Sequence, residues 1–124
     1  MENWRQFLIP LTSTLENAVC VLEKNQCAVV VDDNCKLLGT LTDRDIRRAL
    51  LNYQNMRSSV KEIMNSNPTY ISYPIDTAKS REIHQNTGFE QYPIVDKKKI
   101  VCGIYTANEI LNTKLTNPVV LMAG

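Results

Sequence analysis

The chain has 124 residues, is 44% hydrophobic and 22% charged, and carries a formal net charge of +1, a profile that suits a globular protein able to bury a core without staples. So small a charge offers no electrostatic footprint for nucleic acid. No stretch approaches the roughly 20 apolar residues needed to span a bilayer, and the opening MENWRQFLIP lacks the basic-then-apolar pattern of a signal peptide. The cysteines Cys20, Cys27, Cys35 and Cys102 show no CxxC spacing and His84 is the sole histidine, which argues against a zinc site. A cytoplasmic location with reduced thiols is the expectation, with Cys20 and Cys27 buried in apolar stretches.

In chain order, Ile9 starts a short strand, and Thr14 to Asn25 reads as a helix whose Leu15, Ala18, Val19 and Leu22 form one apolar face. Cys27 to Val31 is a short β-branched run, Asp32-Asp33-Asn34 supplies turn chemistry, and Lys36 to Leu41 reads as the next strand. Thr42 to Leu51 follows as a helix with Ile46, Ala49 and Leu50 on one face. Asn52 to Ser58 is a linker, and Val60 to Met64 a short helical stretch. Strands are then predicted at Thr69 to Ile71, Gln91 to Val95 and Lys99 to Tyr105. The helix between the first two, Thr77 to Thr87, has only Ala78 and Ile83 as clear apolar positions and stops at Gly88.

The order strand, helix, strand, strand, helix occurs twice. Val30-Val31-Asp32 lies over Ile94-Val95-Asp96, and Leu38-Gly39-Thr40-Leu41-Thr42-Asp43-Arg44-Asp45-Ile46 over Cys102-Gly103-Ile104-Tyr105-Thr106-Ala107-Asn108-Glu109-Ile110. Gly39 and Gly103, Thr42 and Thr106, and Asp32 and Asp96 are each 64 positions apart, so one supersecondary unit is used twice. Neither copy alone covers both faces of a three-stranded sheet, and the two are expected to pack about a pseudo-two-fold axis.

The string apolar-Gly-apolar-apolar-Thr-x-x-Asp, after a Val-Val-Asp turn, resembles the cystathionine-β-synthase (CBS) domain. LLGTLTDRDIRRALL is the close match and VCGIYTANEIL the looser one. The resemblance covers residues 7 to 112 and implies an α+β fold of two tandem β-α-β-β-α repeats, at 1–58 and 59–115. It implies that an adenine nucleotide (AMP, ADP or ATP) binds as a regulatory ligand in the cleft between repeats. It also implies no required cofactor, and self-association into a homodimer. Asn117-Pro118-Val119-Val120-Leu121-Met122-Ala123-Gly124 resembles the first strand of a sugar-phosphate nucleotidyltransferase. The expectation is therefore a regulatory pair with no catalytic site, residues 116–124 beginning a truncated nucleotidyltransferase domain. A structural dimerisation module without a ligand is the alternative.

At the candidate site, the strand delivers Thr42 to a helix start, where free amides and the helix dipole favour an anion and the Thr42 hydroxyl can donate to a phosphate oxygen. Asp45, one turn on, can accept from both hydroxyls of a ribose. Gly39 lets backbone approach a flat base, and Arg44 adds charge for further phosphates; Arg47 and Arg48 read as a solvated basic face. Gly103, Thr106 and Glu109 repeat the pattern, with Glu109 one methylene longer and expected to overshoot a ribose. One occupied and one weak or empty site is the resulting expectation.

Thr-x-x-Asp is also a helix capping box, which needs no ligand; Ser13-x-x-Glu16 and Ser59-x-x-Glu62 have the same form and serve as internal controls. Lys97-Lys98-Lys99 reads as solvated charge at a hairpin, His84 as a surface residue, and Tyr92 and Tyr105 as core with the option of stacking on a base. Trp4 and Phe7 read as pins for the N-terminus. An enzyme is disfavoured: there is no Ser–His–Asp set or metal cluster, and GTLTDRD lacks the second Gly and the Lys-Ser/Thr ending of a P-loop.

Overall fold

The computed structural model describes residues 4–52 and 54–112; the strand expected at Asn117 to Gly124 lies outside them. The chain divides into two compact units, Arg5–Pro68 and a second made of Trp4 with the residues from Thr69 onward. The first contains β1 (Leu8–Pro10), α1 (Leu15–Leu22), β2 (Ala28–Val31), β3 (Leu37–Leu41), α2 (Asp43–Leu51) and α3 (Val60–Ile63). The second contains β4 (Ile71–Ser72), α4 (Thr77–Thr87), β5 (Gln91–Val95), β6 (Val101–Thr106) and α5 (Ala107–Asn112).

Each unit holds one three-stranded sheet, in the orders β1-β2-β3 and β4-β5-β6. β1 runs parallel to β2 in the register Ile9↔Val30, and β4 parallel to β5 in the register Ile71↔Ile94. A parallel pair needs a crossover, which α1 and α4 supply. The third strand of each sheet returns antiparallel, with Val30↔Gly39 in one and Ile94↔Gly103 in the other. This is the α+β, twice-used arrangement that the sequence predicts.

The repetition extends to single atoms. The register slips at Val30/Val31 and again at Ile94/Val95. In the first turn Asp32 Oδ1 accepts from the Asn34 and Lys36 amides at 2.8 and 2.9 Å. In the second, Asp96 Oδ1 accepts from Lys98 and Ile100 at 2.8 and 3.0 Å. An aspartate that ties its own following amides closes a turn cheaply. Each turn then places a non-glycine residue in the left-handed region, Cys35 at φ 64° and Lys99 at φ 67°.

The first core gathers Ile9, Ala18, Ala28, Val30, Leu41 and Val60, the second Ile71, Tyr92, Ile94, Tyr105 and Ile110. Trp4 and Phe7 are both buried, as their role as pins requires. Three expectations need correction. Cys20 is exposed, because it sits across the helix from the Leu15/Ala18 stripe. Leu50 is 48% exposed, because the stripe of α2 that faces its unit closes at Ala49. On α4, Ala78 faces outward and the buried position is Ser80, whose hydroxyl donates to the Asp76 carbonyl at 2.8 Å.

The stretch after the linker is built into the first unit. Val60 is fully buried there. The Leu15 and Glu16 amides at the start of α1 donate to the Ser58 and Met56 carbonyls at 2.9 and 3.0 Å. Asn65 pairs with Thr40 through both of its backbone groups, at 2.9 and 3.2 Å, and so covers the outer edge of β3.

This cover explains Gly39. A Cβ there would lie 2.6 Å from Met64 Sδ and 2.8 Å from the Asn65 carbonyl oxygen. At Gly103 the nearest atom would be Ile94 Cδ1 at 3.3 Å, the end of a side chain that can shift. Gly39→Ala is expected to destabilise by about 1–3 kcal/mol. Gly103→Ala is expected to stay within about 1 kcal/mol of the parent. Urea unfolding of the two variants measures the difference.

The cysteines give a second check. Burial pushes the Cys27 thiol up to about 12, and burial also raises Cys35 against the opposing pull of Arg5. The thiolate is the reactive form. Alkylation of the folded protein near pH 8 is therefore expected to modify exposed Cys20 and to spare Cys27 until denaturant is added, as read by peptide mass.

Candidate nucleotide-binding site

β3 ends at Leu41 and α2 begins at Asp43, with Thr42 between them as the N-cap in extended conformation. The Thr42 amide donates to Asp45 Oδ2 at 2.9 Å and the Thr42 hydroxyl donates to the same oxygen at 3.1 Å. The Asp45 amide donates back to the Thr42 hydroxyl oxygen. This is a closed capping box. It commits the Thr42 proton to Asp45 rather than to an incoming phosphate, and it saturates one carboxylate oxygen. The other, Asp45 Oδ1, meets only Arg48 Nη1 at 3.9 Å, from a side chain that is 64% exposed. At that length and exposure the ion pair contributes little.

What α2 leaves open at its entrance is therefore one carboxylate oxygen and backbone donors. Among the described residues no partner stands on the Asp43 amide. Arg44, Arg47 and Arg48 are all exposed around the first turns, so the positive charge expected there is present on the surface. The Cβ side of Gly39 is another matter. Met64 and Asn65 of the same unit fill it, so the absence of a side chain at Gly39 admits protein rather than a flat base.

The second entrance repeats the box. Thr106 donates to Glu109 Oε1 from its amide at 3.0 Å and from its hydroxyl at 2.9 Å, and the Glu109 amide returns to the hydroxyl oxygen at 3.1 Å. The extra methylene of Glu109 is absorbed with the box intact. The two entrances differ in the first helical amide, since Ala107 donates to the Glu90 carbonyl at 2.8 Å. They differ in charge too, with Asn108 standing where Arg44 stands in the first copy.

The control boxes refine the comparison. α1 is capped one residue later than predicted, by Thr14 and Asn17, with 2.9 Å from the Thr14 amide and 3.1 Å from its hydroxyl to Asn17 Oδ1. These lengths match those at Asp45, so a neutral amide closes the box as well as a carboxylate does. Ser59 caps α3 by accepting from the Lys61 amide at 3.2 Å.

Sequence reasoning placed His84 on the surface. It is half-buried, with Nδ1 3.0 Å from the Tyr92 hydroxyl. Tyr92 and Tyr105 are core residues. Lys99 lies with its ammonium 4.4 Å from the centre of the Tyr70 ring, a contact no sequence spacing announces. The described residues contain no cluster of three or more His, Cys, Asp or Glu side chains able to hold a metal. No described helix is long and apolar enough to cross a membrane.

Comparison with known proteins agrees with this architecture. The CBS domain family matches the chain twice, over residues 5–52 and 60–115. An inosine-5'-monophosphate dehydrogenase from Nitrosopumilus maritimus is 33% identical over 84 residues, 68% of this chain and 17% of that enzyme. The chain spans 31%, 17% and 17% of the first curated relatives it matches. The CBS domain protein PAE2072 from Pyrobaculum aerophilum, solved with AMP, superposes with a TM-score of 0.73 at 19% identity, over 86% of this chain and 84% of that one. The cytosolic domain of the Mg2+ channel MgtE, solved with ATP, gives 0.71 at 26% identity, over 85% and 43%. Matched in both of its repeats by the same family, the protein is a tandem pair of CBS domains and belongs to the CBS domain family.

Proposed function

We propose that this CBS pair is a regulatory module that binds an adenine nucleotide, AMP, ADP or ATP, at the entrance of α2. A ribose would sit on Asp45 Oδ1, and the phosphate on the open amides of the first turn with help from Arg44. The observation that carries the reading is the division of labour within Asp45. One oxygen is fully used in holding the helix start, while the other, on a side chain 14% exposed, meets only the long contact to Arg48 at 3.9 Å and keeps lone pairs for a ligand. PAE2072 and MgtE, solved with AMP and with ATP, support the ligand class.

The entrance of α5 is the weaker one, because its first amide is already held by Glu90 and Asn108 stands where Arg44 stands in the first copy. Thr106 and Glu109 are read there as a structural cap, and Gly103 as a strand residue of β6. In this proposal residues 1–58 and 59–115 are the two repeats, working in the cytoplasm as a homodimer. Residues 116–124 lead into a sugar-phosphate nucleotidyltransferase whose activity the module controls, by differential affinity for its two states. The module itself needs no cofactor and performs no catalysis. A second reading, a dimerisation module without a ligand, is favoured by Leu50 and Leu51, 48% and 74% exposed at the end of α2.

Asp45→Asn separates these readings. Thr14 and Asn17 show that an amide keeps the box, so the variant is expected to melt within about 0.5 kcal/mol of the parent. It replaces the Oδ1 acceptor with a donor, so nucleotide affinity in calorimetry is expected to fall at least about tenfold. Glu109→Gln is expected to leave affinity unchanged. A parent that gives no heat at millimolar AMP, ADP and ATP, and that sediments as a dimer regardless of nucleotide, selects the second reading.

A further inference from the structure

Tyr92, at the start of β5, is fully buried, yet its hydroxyl oxygen has three polar neighbours. They are His84 Nδ1 at 3.0 Å, Thr87 Oγ1 at 2.7 Å and the Phe89 amide at 3.1 Å. The Thr87 hydroxyl also lies 2.8 Å from the Ile83 carbonyl oxygen and donates to it. These four contacts form a closed problem in proton counting, because a phenol has one proton and two acceptor positions.

The Phe89 amide can only donate. The Thr87 proton goes to the Ile83 carbonyl, which can only accept. The short contact between Thr87 and Tyr92 then requires the proton of Tyr92. With that proton placed, the phenol oxygen has nothing left to give to His84, so the bond exists only if Nδ1 carries hydrogen. The opposite tautomer would pull the Tyr92 proton toward His84 and the Thr87 proton toward Tyr92, leaving the Ile83 carbonyl facing a bare oxygen at 2.8 Å.

We infer that His84 is held as the Nδ1–H tautomer, and that it acts through Tyr92 as a positioning residue for the corner between α4 and β5. That corner contains Gly88, at φ 70° as the C-cap of α4, then Phe89, whose amide is in the latch, then Glu90, whose carbonyl receives the Ala107 amide at the start of α5. The ring packing points the same way. Both His84 and Phe89 have ring centroids 6.0 Å from that of Tyr92, His84 edge-on at 87°. The latch thus reaches from the last turn of α4 to the first amide of α5. It needs no ligand and does not depend on the nucleotide reading.

The test uses the whole chain labelled with 15N, in which His84 is the sole histidine and its ring signals need no assignment. At a pH where the ring is neutral, long-range proton–nitrogen correlation is expected to show Nδ1 protonated and Nε2 bare; the reverse pattern overturns the inference. The second readout is hydrogen exchange at the Ala107 amide. His84→Asn places an amide donor where Nδ1 stands and is expected to keep exchange within about threefold of the parent. His84→Gln carries its donor one methylene further out and is expected to speed exchange by about tenfold, as is Tyr92→Phe. Equal exchange in His84→Asn and His84→Gln overturns the positioning role. Should Tyr92→Phe fail to fold, the histidine pair and the ring spectrum still decide.

Discussion

A single carboxylate oxygen, Asp45 Oδ2, holds the junction on which the first repeat turns. β3 arrives extended, α2 leaves helical, and Thr42 between them would expose its amide if nothing reached back for it. Asp45 reaches back and takes both the amide and the hydroxyl. Because one oxygen does all of this, the other is left with only a 3.9 Å contact to Arg48. A serine or threonine cap alone would hold the helix but would leave no second carboxylate oxygen beside it.

The second repeat shows the same device with a different outcome. Glu109 closes its box at 3.0 and 2.9 Å, against 2.9 and 3.1 Å at Asp45, so both helix starts are capped in the same way. What changes is Asn108 in place of Arg44 within the motif and, outside it, a carbonyl from Glu90 that occupies the first amide of α5. Two helix entrances of like pattern therefore differ in part through a backbone atom contributed from 17 residues upstream, since 107 − 90 = 17. Duplication copied the fold to the level of the Asp32 and Asp96 turns, and the divergence between the copies lies in what surrounds the entrances.

That contrast also explains what was legible in the sequence. The offset between Gly39 and Gly103 revealed two copies, and alternation and turn residues located the strands, because these are properties of side chains in fixed periods. The Thr42–Asp45 pair was visible for the same reason. The purpose of Gly39 was not: the atoms that crowd it belong to Met64 and Asn65, whose approach leaves no spacing to recognise. His84 looked like a surface residue on a polar helix, since its partner Tyr92 is a core residue whose hydroxyl a hydropathy pattern ignores. Cys20 was misread although the helical period alone sets it opposite Leu15 and Ala18. Carbonyl partners such as Ser58, Met56 and Glu90 are invisible in principle, since every residue carries one.

The pairing of Asn65 with Thr40, and of Ser58 with the start of α1, bears on biosynthesis. A ribosome that has released β1 through α2 has released every strand of the first sheet, but neither the cover for its β3 edge nor the carbonyls that quiet α1. Until some fifteen further residues emerge, the nascent chain carries an open strand edge of the kind that invites wrong partners. The stretch joining the repeats thus acts as a late-arriving clasp, and the order in which the polypeptide is made decides how long the newborn half must wait for it.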